Sequence, residues 1–271
     1  QYSPCQTAGR PGRADGGRGD AGVGQAWLKA PIIGASDDGK PRHEGGGKAN
    51  RCGTPQGGVA SPLLSNCYLH LLDRIWQRHH LAQRLQARLV RYADDFVVLC
   101  RKDVATPLEL IQQILAKLDL TLNDDKTRVV DAGVERFRFL GFELGMATGR
   151  TTGRRYPHVE PSAKAAKQIK QRVTELTTRN QTWRPLGDIV REVNQALRGW
   201  VGYFHYRNCS TVLAQVKRHA EERLRTHLRK RHKIKDRGMG LHRFPNRVLY
   251  ADYGLYKVPT SAGWTSAHAS V

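Results

Sequence analysis

Two adjacent carboxylates, Asp94 and Asp95, stand in the middle of the apolar stretch "LVRYADDFVVLC" (residues 89–100). Like charges at contact distance repel, and taking either out of water is costly unless a cation compensates. A hard divalent ion suits that role: Mg2+ prefers oxygen ligands, and its charge keeps both groups ionised. Two such ions, with Mn2+ as a substitute, can activate an attacking hydroxyl and stabilise a leaving phosphate in an in-line displacement. Taken alone, the pair fits a solvated turn as well as a metal cradle. Upstream, "RCGTPQGGVASPLL" (51–64) sets Gly53, Gly57 and Gly58 with Pro55 in a side-chain-poor loop that opens onto a helix. Such a loop lets a flat base or sugar approach the backbone, with Gln56 supplying hydrogen bonds. No G-K-[ST] follows, so it is not a P-loop, and by itself it fits an ordinary turn into a helix.

The elements that must hold these residues are marked by periodicity. β-branched and aromatic flanks around Asp94–Asp95 predict strand–turn–strand with the pair at the tip. Leu64, Tyr68, Leu71, Leu72, Ile75 and Trp76 recur at helical spacing over 61–80, with Ser61 as cap and Pro62 at the first helical position. Leu108, Ile111, Leu115 and Leu118 predict an amphipathic helix over 107–120. "KTRVV" (126–130) and "FRFLGFEL" (137–144) read as strands, the second a tight hairpin or bulge at Gly141. Residues 35–58 read as a long loop or loose hairpin, and 149–162 as a spacer. Three amphipathic helices follow over 163–178, 186–204 and 211–232. This order predicts an α+β fold, an antiparallel sheet with helices on one face, followed by an all-helical domain. The expected divisions are a non-family, disordered segment 1–23, a sheet domain 24–150, a helical domain 156–238 and a tail 239–271.

Charge is the strongest global signal. The chain has 45 Lys+Arg against 24 Asp+Glu, a formal +21, and a polyanion such as nucleic acid is the usual partner of such an excess. Over 156–238 there are 19 Lys+Arg against 7 Asp+Glu. One stretch, 211–235, carries Lys217, Arg218, Arg223, Arg225, Arg229, Lys230, Arg231, Lys233 and Lys235. With so few acids nearby, RNA-backbone contact is favoured over a merely solvated face. Trp200, Tyr203, Phe204 and Tyr206 are candidates for base stacking, though helical spacing favours core packing for Trp200 and Phe204. His79, His80, His219, His227 and His232 lack ligand spacing and read as solvated or phosphate-contacting. The five cysteines are scattered and show no C-x-x-C, which speaks against a zinc site and fits a reducing compartment. No apolar run approaches the ~18 residues of a membrane span.

Taken together and in order, these blocks resemble the reverse transcriptases encoded by bacterial group II introns, the intron maturases. "GTPQGGVASPLLSNCYLH" is similar to the block that contacts template and incoming nucleotide, which implies binding roles for Pro55, Gln56, Gly57 and Gly58. "RYADDFVVL" resembles the block that holds catalytic Mg2+, with Asp94 and Asp95 as ligands and Tyr92 beside the nucleotide. "LNDDKTRVV" looks like the next block and gives Lys126 a catalytic place near the pyrophosphate. "FRFLGFEL" resembles the primer-grip hairpin, and "AWLKAPII" the tail of the block before the Gln-Gly loop. "PLGDIVREVNQALRGWVGYFHYRNC" and the basic helix after it resemble the thumb, or maturase-specific, domain. "FPNRVLYADYGLYKV" fits the family's C-terminal stretch. The resemblance covers about 24–258. It implies a partial right-hand palm followed by a helical thumb. It also implies intron RNA, RNA template, DNA primer and dNTPs as partners, splicing and mobility as roles, and the bacterial cytoplasm, with the nucleoid and RNA, as the setting.

The chain departs from the family at its start. The third acidic ligand of a palm would come from an apolar, Phe-rich strand, whereas Asp15 and Asp20 lie in Gly/Arg-rich sequence. The fingers have no counterpart either, so residues 1–23 read as junction sequence of an N-terminally truncated gene. No C-terminal endonuclease is expected, since "SAGWTSAHASV" lacks Cys pairs and clustered His. Three readings stay open: part of an RNA-directed DNA polymerase, an RNA-binding splicing cofactor, or a decayed gene fragment. Missing one carboxylate, the second metal would be weakly held. Primer extension on poly(rA) with Mg2+ is therefore expected to stay near background, and robust cDNA synthesis by this chain would overturn the expectation.

Overall fold

The computed structural model describes residues 31–35, 41–46, 61–149 and 151–262, with side chains from Ser61 onward. The 1–23 segment and the Pro55–Gln56–Gly57–Gly58 loop lie outside the described residues. The chain divides into two compact units, one up to Val129 and one from Val130.

In the first unit, β1 (Pro31–Ala35) and β2 (Pro41–Gly46) form an antiparallel hairpin with an irregularity between Ile32 and Ile33. Then come α1 (Ser61–Arg78), α2 (Leu81–Arg84), β3 (Ala87–Tyr92), β4 (Asp95–Cys100) and α3 (Ala105–Lys117). β3 and β4 pair from Ala87↔Cys100 to Tyr92↔Asp95. Because side chains alternate across a strand, Leu89 and Arg91 share one face with Val98 and Phe96. That face packs on α1 and α3 around Leu72, Trp76, Ile111, Ile114 and Leu115. Val90, Tyr92 and Leu99 look outward and are exposed. The helices thus cover one side of the sheet, as the α+β pattern predicts. Among the described residues the strands are distributed over three small antiparallel sheets, the largest with three strands.

One expected strand is not there. "KTRVV" begins in a turn, because the Asn123 side chain and carbonyl both accept from the Lys126 N–H at 3.1 Å. Val129 is left 62% exposed with no strand beside it. An Asn that satisfies the backbone locally competes with the ladder a strand needs.

The second unit opens with β5 (Phe137–Phe139), β6 (Phe142–Thr148) and β7 (Arg155–Pro161) in the order β5-β6-β7. The β5–β6 turn holds Leu140 and Gly141 at φ 50° and 79°, the double positive φ of a two-residue hairpin. A Cβ on Gly141 would lie 3.1 Å from the Phe204 ring, so glycine serves both backbone and packing here. The expected spacer at 149–162 contains β7, a correction with a clear cause. β7 is an edge strand, where Pro157 and Pro161 are tolerated and obscure the strand pattern.

Next come α4 (Ala163–Leu176), a 3-10 turn (Arg179–Gln181), α5 (Leu186–Phe204), α6 (Ser210–Arg231), α7 (Arg237–Arg243) and α8 (Asn246–Ala251). Ser162 caps α4 by accepting from the Ala165 N–H at 3.2 Å. Ile169, Val173, Ile189, Val193, Leu197, Leu213, Val216, Leu224 and Leu228 build the core, joined by Phe244, Leu249, Leu255 and Val258. Residues up to Val258 therefore belong to the helical core. Asn194 fastens them, donating to the Gly254 carbonyl at 2.8 Å and accepting from the Tyr256 N–H at 2.7 Å. Tyr250 donates to Glu221, and burial followed by that carboxylate raises its phenol pKa. Composition puts the domain boundary near 150–160. Compactness divides the chain earlier, and Phe142 of the β5–β6 hairpin packs tilted against the rings of Tyr203 and Phe204 of α5.

His227, expected as solvated or phosphate-contacting, is instead fully buried on α6. Neither ring nitrogen has a hydrogen bond of ordinary length. Desolvation lowers its pKa below the usual 6.5, softened by the nearby Thr177 and Thr178 carbonyls and reinforced by Arg231 and Arg223. The folded chain therefore disfavours a proton that the unfolded chain accepts. The His227 contribution to the unfolding free energy should be level above neutral pH and fall as pH drops through about 6.5. His227→Gln should make the total fall shallower without removing it, since His219 is shifted the same way by burial. Urea titrations at several pH values read this out, and an unchanged slope in the variant would contradict it.

Candidate functional site

The β3–β4 hairpin carries the Asp pair on a two-residue turn, Ala93–Asp94, with Asp95 opening β4 opposite Tyr92. Both carboxylates are exposed. Among the described residues neither has a hydrogen-bond or ion-pair partner, so no arginine occupies the space a metal would need. Tyr92, 66% exposed, shares the outer face with Asp95.

The turn itself is strained and braced. Ala93 has φ 52°, a left-handed conformation that costs an L-residue with a Cβ about 1–2 kcal/mol. Arg91, whose side chain is 11% exposed, holds it in place. Its Nη1 donates to the Ala93 carbonyl at 2.7 Å and to Asn66 Oδ1 at 3.0 Å. Its Nη2 donates to Asp73 Oδ2 at 2.6 Å, and its Nε to both Asp73 oxygens at 3.1–3.2 Å. One planar fork thereby ties α1 to the hairpin tip. The sequence reading missed Arg91. An Arg on the inward face of a strand beside acids is a visible signal, but its partners lie 18 and 25 positions away.

Lys126 sits exposed on the Asn123 turn of the same unit. No hydrogen bond or ion pair joins it to the Asp pair among the described residues. Nor does any third His, Cys, Asp or Glu gather with the pair there. Two exposed carboxylates, with no sulfur or imidazole gathered beside them among the described residues, form a hard-oxygen donor set that suits a divalent cation.

The basic helix is less uniformly outward than its sequence suggests. Arg225 does not face a polyanion: it is buried and donates to the Phe244 carbonyl, Glu222 and Asn246. Arg223 donates to Thr177 Oγ1 and to the Thr174 and Thr177 carbonyls. Arg229 caps the Lys235 carbonyl at 2.6 Å and packs where Gly240 has no side chain. Arg231 donates to the carbonyls of Thr182 and Arg184 at 3.0 and 2.6 Å. Arg218, Lys230 and Lys233 stay exposed, and Lys217 is half-buried. Of the candidate stacking aromatics, Phe204 is buried and Trp200 packs on the core. Tyr203 donates to the Leu140 carbonyl, and Tyr206 meets the Phe142 ring edge-on.

Residues 22–144 match the model of the family described as reverse transcriptase (RNA-dependent DNA polymerase), and residues 166–244 match the group II intron, maturase-specific domain. The chain belongs to the group II intron reverse transcriptase/maturase family. It is 21% identical over 224 residues to the "Uncharacterized 91 kDa protein in cob intron" of Schizosaccharomyces pombe, covering 57% of this chain and 28% of that protein. It is 31% identical over 145 residues to Protein YkfC of Escherichia coli K12, covering 42% of this chain and 38% of that protein. The chain thus spans well under half the length of the curated relatives it matches. The reverse transcriptase match contains the whole Asp94–Asp95 hairpin, and the maturase match contains α5 and the basic α6. No described helix is long and apolar enough to cross a membrane.

The brace around the reverse transcriptase hairpin makes a specific demand. Arg91→Ala should lower the stability of the first unit by about 2–3 kcal/mol, since it strips charge-assisted bonds from half-buried Asp73. Arg91→Lys should recover only part, lacking the fork. Amide exchange at residues 93–95 should accelerate in both, and unchanged exchange would show that Arg91 does not hold the turn.

Proposed function

We propose that this chain supplies the metal-binding hairpin and the RNA-binding helical domain of a group II intron reverse transcriptase with maturase activity. The observation that carries the reading is the exposed Asp94–Asp95 pair, without a partner among the described residues, on a braced turn in a chain with a formal +21 charge. Asp94 and Asp95 would hold Mg2+, with Mn2+ able to replace it. The ion would supply charge neutralisation for the transferred phosphate and activation of the primer hydroxyl. Pro55, Gln56, Gly57 and Gly58 would face template and dNTP beside Tyr92, and Lys126 would approach the pyrophosphate. Each of these roles rests on the family resemblance at that position.

The exposed cations Arg218, Lys230 and Lys233, with half-buried Lys217, would bind the backbone of intron RNA in the bacterial cytoplasm. Arg225 is left out of that set, Arg229 and Arg231 serve first as intrachain donors, and their contribution to RNA is secondary. Template RNA and DNA primer would be partners of the same positive surface.

A second reading, an RNA-binding splicing cofactor that does not polymerise, is favoured by the Asp pair having no third acidic neighbour among the described residues. One pair of assays separates the two. RNA binding by the full chain to a group II intron RNA should weaken steeply with salt. Neutralising Lys217, Arg218, Lys230 and Lys233 together should flatten that salt slope. Asp94→Ala should leave RNA affinity and splicing intact while abolishing whatever cDNA synthesis the parent chain shows. If neutralising the four cations left the salt slope unchanged, the RNA-binding assignment would fail. If the parent chain makes cDNA above background and Asp94→Ala makes as much, the metal assignment would fail.

A further inference from the structure

Trp183 is solvated in a way its chemistry does not favour. Its side chain is 81% exposed, although a buried indole contributes more apolar area than almost any other residue. Its surroundings are not those of a loose loop. Trp183 lies in the corner between α4 and α5, just after the 3-10 turn Arg179–Gln181. Thr182 Oγ1 donates to the Arg179 carbonyl at 2.8 Å, and the Arg184 N–H donates to the Gln181 carbonyl at 3.1 Å. From α6, the Arg231 guanidinium reaches the carbonyls of Thr182 and Arg184, one on each side of Trp183. Arg184 is in turn held by Glu192. The indole is therefore displayed from a backbone fixed at both neighbours.

The charge around it selects among partners. Arg231 brings the C-terminal end of α6 to this corner, and with it the exposed Lys230 and, two residues past the helix, Lys233. Arg179, in the 3-10 turn before Trp183, is exposed, and Glu192 is already paired with Arg184. Among the sequence neighbours of Trp183, Asn180, Gln181, Thr182 and Arg184 are polar and the apolar residues begin at Pro185, so the adjacent chain supplies no extended apolar patch. A partner helix or a bilayer would want such a patch. A single exposed aromatic on a corner that carries exposed cations fits an unpaired nucleobase with its flanking phosphates.

We propose that Trp183 is a stacking platform for one unpaired base of RNA, with Lys230, Lys233 and Arg179 taking the adjoining phosphates. The proposal rests on the RNA-binding reading above and adds to it a single-strand preference located at one residue. Arg231 acts here as a positioning residue that keeps the platform in place.

The test uses the full chain, a fluorescein-labelled oligouridylate of about 12 nucleotides and an RNA duplex of matching length, each titrated at several salt concentrations. Trp183→Ala should weaken single-strand binding about 5- to 150-fold, leave the duplex nearly untouched and keep the salt slope. Trp183→Phe should restore most of the loss, and the unfolding midpoint of both variants should match the parent. Lys230→Gln should instead reduce the single-strand salt slope by roughly 0.7. Equal affinity of Trp183→Ala and parent for oligouridylate would overturn the proposal, as would equal losses on single strand and duplex. A parent dimer that becomes monomeric in Trp183→Ala with RNA affinity unchanged would overturn it in favour of a protein contact. If the parent binds neither RNA with any salt dependence, the RNA-binding reading itself fails and takes this one with it.

Discussion

A guanidinium fork holds together the part of this chain that could do chemistry. Two like charges side by side at a hairpin tip repel each other, and the first turn residue, Ala93, is in a left-handed conformation. Left to itself such a tip would relax. Arg91 prevents this by bonding the Ala93 carbonyl while anchored on Asp73 and Asn66 of α1. Its charge is matched by Asp73, so it braces the turn without neutralising the pair. The division of labour is physical: one acid satisfies the arginine, and the two acids of the tip remain for the ion proposed above. Strain and unpaired charge concentrated at one tip are what a functional site looks like when its ligand supplies the missing stabilisation.

The helical unit solves a different problem with the same residue type. A chain this basic has to place its arginines without burying charge unpaired. Arg223, Arg225, Arg229 and Arg231 do so by capping backbone carbonyls from other elements, with Glu222 and Asn246 helping Arg225. These bonds tie α6 to the end of α4, to the α4–α5 corner and to the C-terminal segment. The cations that remain outward are fewer and sit at defined places. Binding energy for a polyanion then comes from a subset of the charge, and the rest makes the scaffold stiff enough to present it.

Much of this was legible from sequence, and the exceptions share a cause. The helices α4, α5 and α6 follow their apolar period closely, because a single buried face dictates it. The Asp hairpin was legible because its flanks alternate and its tip does not. β7 was hidden by Pro157 and Pro161, which an edge strand tolerates. "KTRVV" misled because β-branched residues suggest a strand, while Asn123 turns the backbone locally. The arginine roles were illegible for a different reason. Their acceptors are carbonyls up to 49 positions away, and a carbonyl carries no residue signature. Burial of His227 was hidden in the same way within a run of cations.

The central claim is that Asp94 and Asp95 stay apart from other groups because a divalent ion belongs between them and phosphate. Iron-directed cleavage tests it without any need for catalysis. Fe2+ replacing Mg2+, with ascorbate and peroxide, should cut the backbone of the full chain beside residues 94–95. Excess Mg2+ should suppress the cut, and Asp94→Asn combined with Asp95→Asn should abolish it. Cleavage absent from that turn, or persisting in the double variant, would contradict the account.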